Sequence, residues 1–261
     1  MHKENITVAI GLVTSSNLKH RYNKCLETWL KDFENVFMLG GNGNDPNLIA
    51  LDAGEDWAST FRKQQFGLKH MWEQNNQFDW YNISTCDNIL FKDRVHNFLS
   101  EYDPSKDLVI GQAGDVWVDN PYLYKPDQLN LNYKCHRSKT FPDVPNAVTF
   151  QMLCGGASFF ISNSLMSKLY NFIDTFDVEW TKMMGFGTHN YGCSDLALSY
   201  MIKKYCGVNL THSDYMFSQP PLHYISDHDE YDYDVLNNIK SAMSFHYIKP
   251  DEMETIYEEY K

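Results

Sequence analysis

The chain has 261 residues, 43% of them hydrophobic, 15% aromatic and 21% charged, with a formal charge of −12. That length and apolar fraction suffice to bury a core without covalent staples and exclude a long disordered tail. The acidic balance and the absence of a basic run argue against nucleic acid as a partner, whereas a nucleotide held through a divalent cation stays compatible, because the metal supplies the positive charge.

The N-terminus enters a strand at Ile6 with no cationic segment leading into an apolar run of signal-peptide length. Ile6 to Thr14 is continuously apolar, the pattern of a strand covered on both faces. Thr14-Ser15-Ser16-Asn17 offers N-cap candidates for a helix from Leu18 to Phe33, which carries Arg21 among its polar positions. Val36 to Leu39 is the next strand, ended by the turn-rich Gly40 to Pro46, which lacks the pattern of a phosphate-binding glycine loop. Leu48 to Leu51 is a short strand and Trp57 to Gln74 a long amphipathic helix. Phe78 to Phe91 then reads as a buried strand that runs into a polar tip, Thr85-Cys86-Asp87-Asn88, and turns apolar again.

Asp93 to Tyr102 is a helix and Leu108 to Gly111 a strand. Gln112 to Val148, rich in Pro, Tyr and Asn, reads as an irregular or short-stranded excursion. The double glycine Gly155-Gly156 opens a strand that continues to Ser162, and Ser162-Asn163-Ser164 caps a helix from Leu165 to Phe176. After the glycine-rich Gly185 to Gly192, Ser194-Asp195 opens a helix to Tyr205, stopped by Gly207. An acidic run from Asp227 to Asp234 reads as a solvated loop. Ser244-Phe245-His246-Tyr247 and a charged terminal helix close the chain. The β/α alternation predicts a single α/β domain over residues 1–261, with about seven strands in a mostly parallel sheet flanked by helices.

The longest apolar tract, Val148 to Ile173, is interrupted by Gly155-Gly156 and does not read as a membrane span. Six cysteines, none in a Cys-x-x-Cys pair, form neither a zinc framework nor a disulfide scaffold. Sequons occur at Asn5, Asn82 and Asn209, with Asn82 inside the expected buried strand. The compartment stays open. Oligomeric state is not readable.

Asp87, Asp195 and His246 stand at element ends in apolar company. Each has an ordinary structural role available: Asp87 and Asp195 as helix or turn caps, His246 as a satisfied core histidine. Together they suggest a metal and a base, since a carboxylate oxygen and an imidazole nitrogen can hold Mn²⁺ or Mg²⁺ while a second carboxylate deprotonates a hydroxyl. Trp180 and Tyr191, ahead of Asp195, suit sugar stacking or core packing.

Thr14 and Arg21, Cys25-Leu26-Glu27-Thr28-Trp29, Lys69-His70-Met71-Trp72-Glu73, Asp79-Trp80-Tyr81 to Asp87-Asn88, Cys154-Gly155-Gly156-Ala157-Ser158, Ser194-Asp195, Thr211-His212-Ser213 and Ser244-Phe245-His246-Tyr247 resemble, in that order, the Fringe-like inverting β-1,3-glycosyltransferases, a group that includes the core 1 galactosyltransferases. The resemblance implies a GT-A fold, a UDP-sugar donor, a glycan or glycopeptide acceptor and Mn²⁺ or Mg²⁺. It assigns Asp87 and His246 to the metal, Asp195 to the catalytic base, and Thr14, Arg21, Thr85, Cys86, Asp87, Gly155 and Gly156 to the donor. The family's Asp-rich motif is reduced here to Thr85-Cys86-Asp87, and Ser194 replaces the first of a pair of acidic residues. These departures support two rivals to an enzyme: a degenerate member acting as a chaperone or glycan-binding protein, and a nucleotide-sugar-binding α/β domain without transfer. At Gly155-Gly156, close approach of a sugar and close strand packing are both open readings, as are phosphate binding and simple exposure for Arg21.

Overall fold

The computed structural model describes residues 6–119, 132–134, 147–184, 194–226 and 233–261. Its first strand, β1 (Val8–Val13), sends Val8, Ile10 and Leu12 to one face and Ala9 and Val13 to the other, and all are buried, as the period-2 alternation of a doubly covered strand requires. β2 (Asn35–Gly40) and β4 (Trp80–Thr85) flank β1 in parallel register, and β3 (Ile49–Ala50) extends β2. β10 (Phe159–Ser162) runs antiparallel between β4 and β6 (Val109–Gly111), and β11 (Thr211–His212) adds to β6 in parallel. The resulting seven-stranded sheet has the order β11-β6-β10-β4-β1-β2-β3. It is mostly parallel, as expected.

Two apolar clusters cover its faces. On one, Phe61, Leu68 and Met71 of α2 (Thr60–Gln74), Leu165 and Leu169 of α4 (Asn163–Tyr170), and Leu198 and Ile202 of α6 (Ser194–Cys206) pack on Tyr81, Ile83 and Phe159. On the other, Tyr22 and Cys25 of α1 (Lys19–Glu27), Val95 and Leu99 of α3 (Lys92–Leu99), and Met253 and Tyr257 of α9 (Pro250–Tyr260) pack on Ile10, Trp80 and Phe160. Fully burying a side chain of this size stabilises by about 1.5–3 kcal/mol, so these clusters hold the layers together.

The expected helix from Leu18 to Phe33 is broken. α1 stops at Thr28, whose φ of −107° and ψ of −100° leave the helical region, and a 3₁₀ turn follows at Leu30–Asp32. The break lets Trp29 and Leu30, 0% and 1% exposed, fold beneath the sheet. The expected helix from Leu165 to Phe176 likewise divides: α4, capped by Ser162 Oγ accepting from Leu165 N, ends at Tyr170, and α5 (Phe176–Met184) starts after a short 3₁₀ turn.

The central sheet accounts for only part of the strands. The excursion after Gly111 holds a three-stranded antiparallel sheet in which β7 (Ala113–Asp119) lies between β8 (Asn132–Lys134) and β9 (Ala147–Leu153). Beyond the tip of β4, β5 (Ile89–Leu90) pairs antiparallel with β12 (Ser244–Phe245). The described chain also includes α7 (Pro221–Ser226) and α8 (Tyr233–Ile239). Among the described residues no helix is long and apolar enough to cross a membrane.

Candidate active site

β4 ends at Thr85, and the chain turns through Cys86 and Asp87, with Asn88 N donating to Thr85 O at 3.0 Å. The β5–β12 pairing opposes Phe245 to Ile89, so the next step of the same register carries His246 across from Asn88. His246 Nε2 thereby lies 3.4 Å from Asp87 Oδ1, while Arg21, from the first turn of α1, places a guanidinium nitrogen 3.7 Å from Asp87 Oδ2. Thr85 Oγ1 donates to Asp87 Oδ1 at 2.5 Å, and Ile248 N donates to Asp87 O at 3.0 Å. Burial alone would raise the Asp87 pKa, but His246, Thr85 and Arg21 outweigh it and hold the carboxyl below its ordinary range. A carboxylate is therefore the form present at neutral pH.

The double glycine lies in a 3₁₀ turn, Gly155–Ala157, immediately before β10. A Cβ on Gly156 would meet His246 Nδ1 at 2.2 Å and Cε1 at 2.3 Å, the two nearest atoms to it. Gly156 is thus explained by the imidazole packed on its backbone, a cause different from either sequence-based reading. Ser158 follows with φ of +72°, a left-handed conformation sparsely populated by serine. It is held there by a buried polar knot: Asn82 Nδ2 donates to Ser158 Oγ at 2.6 Å and to Phe159 O at 2.8 Å, and Ser158 Oγ donates to Ile83 O at 3.1 Å. Asn82 is 0% exposed, which removes its sequon from consideration.

The end of β1 forms the neighbouring wall. Thr14 is buried beside the Cys86 thiol, and its carbonyl accepts from Lys63 Nζ at 2.9 Å. Glu55 accepts from Ser16 N at 2.5 Å, Ser16 Oγ at 2.7 Å and Gly41 N at 2.7 Å, so it ties the ends of β1 and β2 together. Cys86 is buried, its thiol pushed up to about 11 by burial, and its carbonyl accepts from the Cys25 thiol at 3.4 Å. Sequence reasoning passed over Glu55 and Lys63. Lys63 looked like the solvated side of an amphipathic helix but is 3% exposed.

Asp195 stands in the first turn of α6 and accepts from Leu196 N at 2.9 Å through Oδ1, a contact with its own neighbour rather than the second or third amide on that a helix cap takes. Its carbonyl accepts from Ser199 Oγ at 2.6 Å, and that hydroxyl accepts in turn from Leu153 N at 2.9 Å. α6 is in this way fixed to the strand that leads into the Gly155–Ala157 turn. The contacts above gather Asp87, His246, Arg21, Thr85 and Gly156 directly; Asp195 is joined to them through this backbone link. Trp180 is 1% exposed and packs against Phe61 and Tyr200 at ring separations of 6.3 and 6.4 Å, so it is a core residue rather than a sugar platform. Tyr191, the segment Gly185 to Gly192 and most of the acidic run from Asp227 lie outside the described residues.

The donor chemistry suits a hard divalent cation. His246 Nδ1 lies 3.4 Å from Ser218 O and Nε2 3.4 Å from Asp87 Oδ1; a metal taken up beside Asp87 would replace the Nε2 proton and bind the lone pair it leaves, while Nδ1–H still faces the carbonyl. One carboxylate and one imidazole leave most of an octahedral shell to be filled by ligand oxygens and water. No cluster of three or more His, Cys, Asp or Glu side chains that could hold a metal occurs among the described residues.

The Fringe-like family matches residues 1–259. No curated protein matches in sequence. Among solved structures, the apo form of the glycosyltransferase GlyE of Streptococcus pneumoniae TIGR4 is similar with a TM-score of 0.51 and 11% identity, covering 98% of this chain and 60% of GlyE. A second GlyE structure gives the same figures. A glycosyltransferase involved in glycosylation of the major capsid of PBCV-1 has a TM-score of 0.45 and 11% identity, covering 96% of this chain and 99% of its own. The chain therefore spans 60% of the length of GlyE and shares its fold, the GT-A arrangement expected from the sequence.

Proposed function

The chain belongs to the Fringe-like family of glycosyltransferases, and from that premise we propose that it transfers a sugar from a UDP-sugar to a hydroxyl of a glycan or glycopeptide acceptor, with metal dependence, inversion at the anomeric carbon and a β-1,3 linkage. The observation that carries this reading is the meeting of Asp87 and His246 at 3.4 Å at the carboxyl end of β4, where open α/β sheets bind ligands. These two side chains would hold Mn²⁺ or Mg²⁺, which as a Lewis acid stabilises negative charge on the departing diphosphate. Arg21, beside Asp87, adds a guanidinium able to pair with phosphate oxygens. Thr14, buried at the end of β1, lines the donor side. Asp195 takes the proton of the acceptor hydroxyl as that oxygen attacks the anomeric carbon on the face opposite UDP, a role that contributes about 10²–10⁴-fold to rate.

The test is calorimetric titration of UDP with Mn²⁺ and with chelator, repeated on Asp87→Ala and His246→Ala, followed by a screen of UDP-sugars for transfer. Binding that needs metal and fails in both variants is the expected result. Binding that ignores the metal, without transfer of any sugar, would overturn the reading in favour of a degenerate member that binds glycan or protein.

A further inference from the structure

A fully buried asparagine sits between the two proposed metal ligands and bonds to the segments that carry both. Asn88 is 0% exposed. Its Oδ1 accepts from Thr85 N at 2.7 Å and lies 2.8 Å from Thr85 Oγ1, whose one proton it shares with Asp87 Oδ1; its Nδ2 donates to Gly156 O at 2.6 Å and Phe245 O at 3.2 Å. One side chain thus joins three stretches distant in sequence: the tip of β4, the glycine turn against which the imidazole lies, and the residue before His246. Thr85 carries the connection on to Asp87 through its 2.5 Å contact.

From this geometry we infer that Asn88 is the positioning residue of the site, setting the spacing between Asp87 and His246. The inference rests on the metal-dependent donor site proposed above. In a motif whose first two acidic positions are Thr85 and Cys86, the carboxylate that remains cannot be oriented by charged neighbours in the tip. An uncharged clamp replaces them. Its amide is matched on both sides, because Oδ1 faces donors only and Nδ2 faces carbonyls only; a carboxylate at this position would set an acceptor against both carbonyls. Loss of a group that orients metal ligands typically costs about 10–100-fold in metal affinity.

The test has a ligand-free and a ligand-bound part. In the wild-type apo protein, NMR should find the Asn88 side-chain amide protons slowly exchanging; rapid exchange would overturn the clamp outright. In Asn88→Ser and Asn88→Asp, checked for folding by thermal unfolding, backbone exchange at Thr85 and Ile248 should accelerate by about tenfold or more relative to strands β1 and β2. The ratio of UDP affinity with Mn²⁺ to that with chelator should fall by about tenfold or more. A purely structural role would lower the melting temperature but leave that ratio unchanged. Unchanged exchange and an unchanged ratio in a folded variant would overturn the proposal. If wild-type UDP binding proves independent of metal, the donor-site reading fails, and the ligand-free exchange measurements separately decide whether Asn88 holds the segments together.

Discussion

Replacing Gly156 with alanine is the sharpest probe of how the site is packed. The added methyl would stand 2.2 Å from His246 Nδ1, 2.3 Å from Cε1 and 3.0 Å from Cγ, so the ring must retreat by roughly 1 Å to restore ordinary contact. Retreat is obstructed: Nδ1 lies at the Ser218 carbonyl, Nε2 at Asp87 and the ring against Tyr247 at 3.8 Å. Overpacking of this kind costs about 1–3 kcal/mol, and a 1 Å displacement of a working group can cost about 10²-fold in rate. Gly156→Ala should therefore melt earlier, and its metal-dependent UDP binding and sugar transfer should drop by about that factor. The double variant Gly156→Ala/His246→Ala identifies the cause: if the imidazole is what the methyl meets, removing it should recover most of the lost stability, a positive coupling in the thermal cycle. Full stability and activity in Gly156→Ala, or no coupling to His246, would refute the argument.

Asp195→Asn should abolish transfer while leaving UDP affinity near wild type, and a fully active variant in a radiolabelled transfer assay would remove Asp195 from the base role. Glu55→Gln weakens the acceptor shared by Ser16 and Gly41 and should loosen the ends of β1 and β2, raising the UDP dissociation constant about two- to tenfold without changing the metal ratio; calorimetry with and without Mn²⁺ reads both. Burial alone would raise the carboxyls of Asp87 and Glu55, but the hydrogen bonds and cations around them bring both below their ordinary values of 3.8 and 4.5. Each therefore contributes stability that is fully present above the unfolded value and is lost as pH falls through the folded one. Melting temperature should hold from neutrality to about pH 4 and then fall, and Glu55→Gln should make that acid limb shallower.

Every strand of the central sheet but β11, whose two residues Thr211–His212 carry no apolar pattern, and the helix over Thr60–Gln74 were legible because their apolar spacing is the cause of their burial. Strand direction was not: the apolar run Phe159–Ser162 reads the same whichever way it points, and only tertiary structure shows it lying antiparallel between β4 and β6. The break at Thr28 was hidden because Leu26, Trp29 and Leu30 fit helical spacing, while the structure leaves Leu26 41% exposed and buries the other two. At the site, the sequence pattern singled out Asp87 and His246 as polar residues at the ends of apolar runs. It was silent on what orients them. Asn88 looked like a turn residue because its partners, Gly156 and Phe245, are remote in sequence, and no local periodicity reports contacts of that range.

The two-residue ladder between β5 and β12 also orders events in time. It joins Ile89–Leu90 to Ser244–Phe245, closing one of the longest loops in the chain, and contacts of such separation form late because their entropic cost is met only after the intervening structure has condensed. β1, β2 and β4 can pair from the first 85 residues, yet the imidazole opposite Asp87 arrives only with residue 246. During synthesis β1, β2 and β4 can therefore be paired, with Arg21 and Thr85 already beside Asp87, before the imidazole arrives, and the carboxylate–imidazole pair is completed in the last step rather than with the secondary structure.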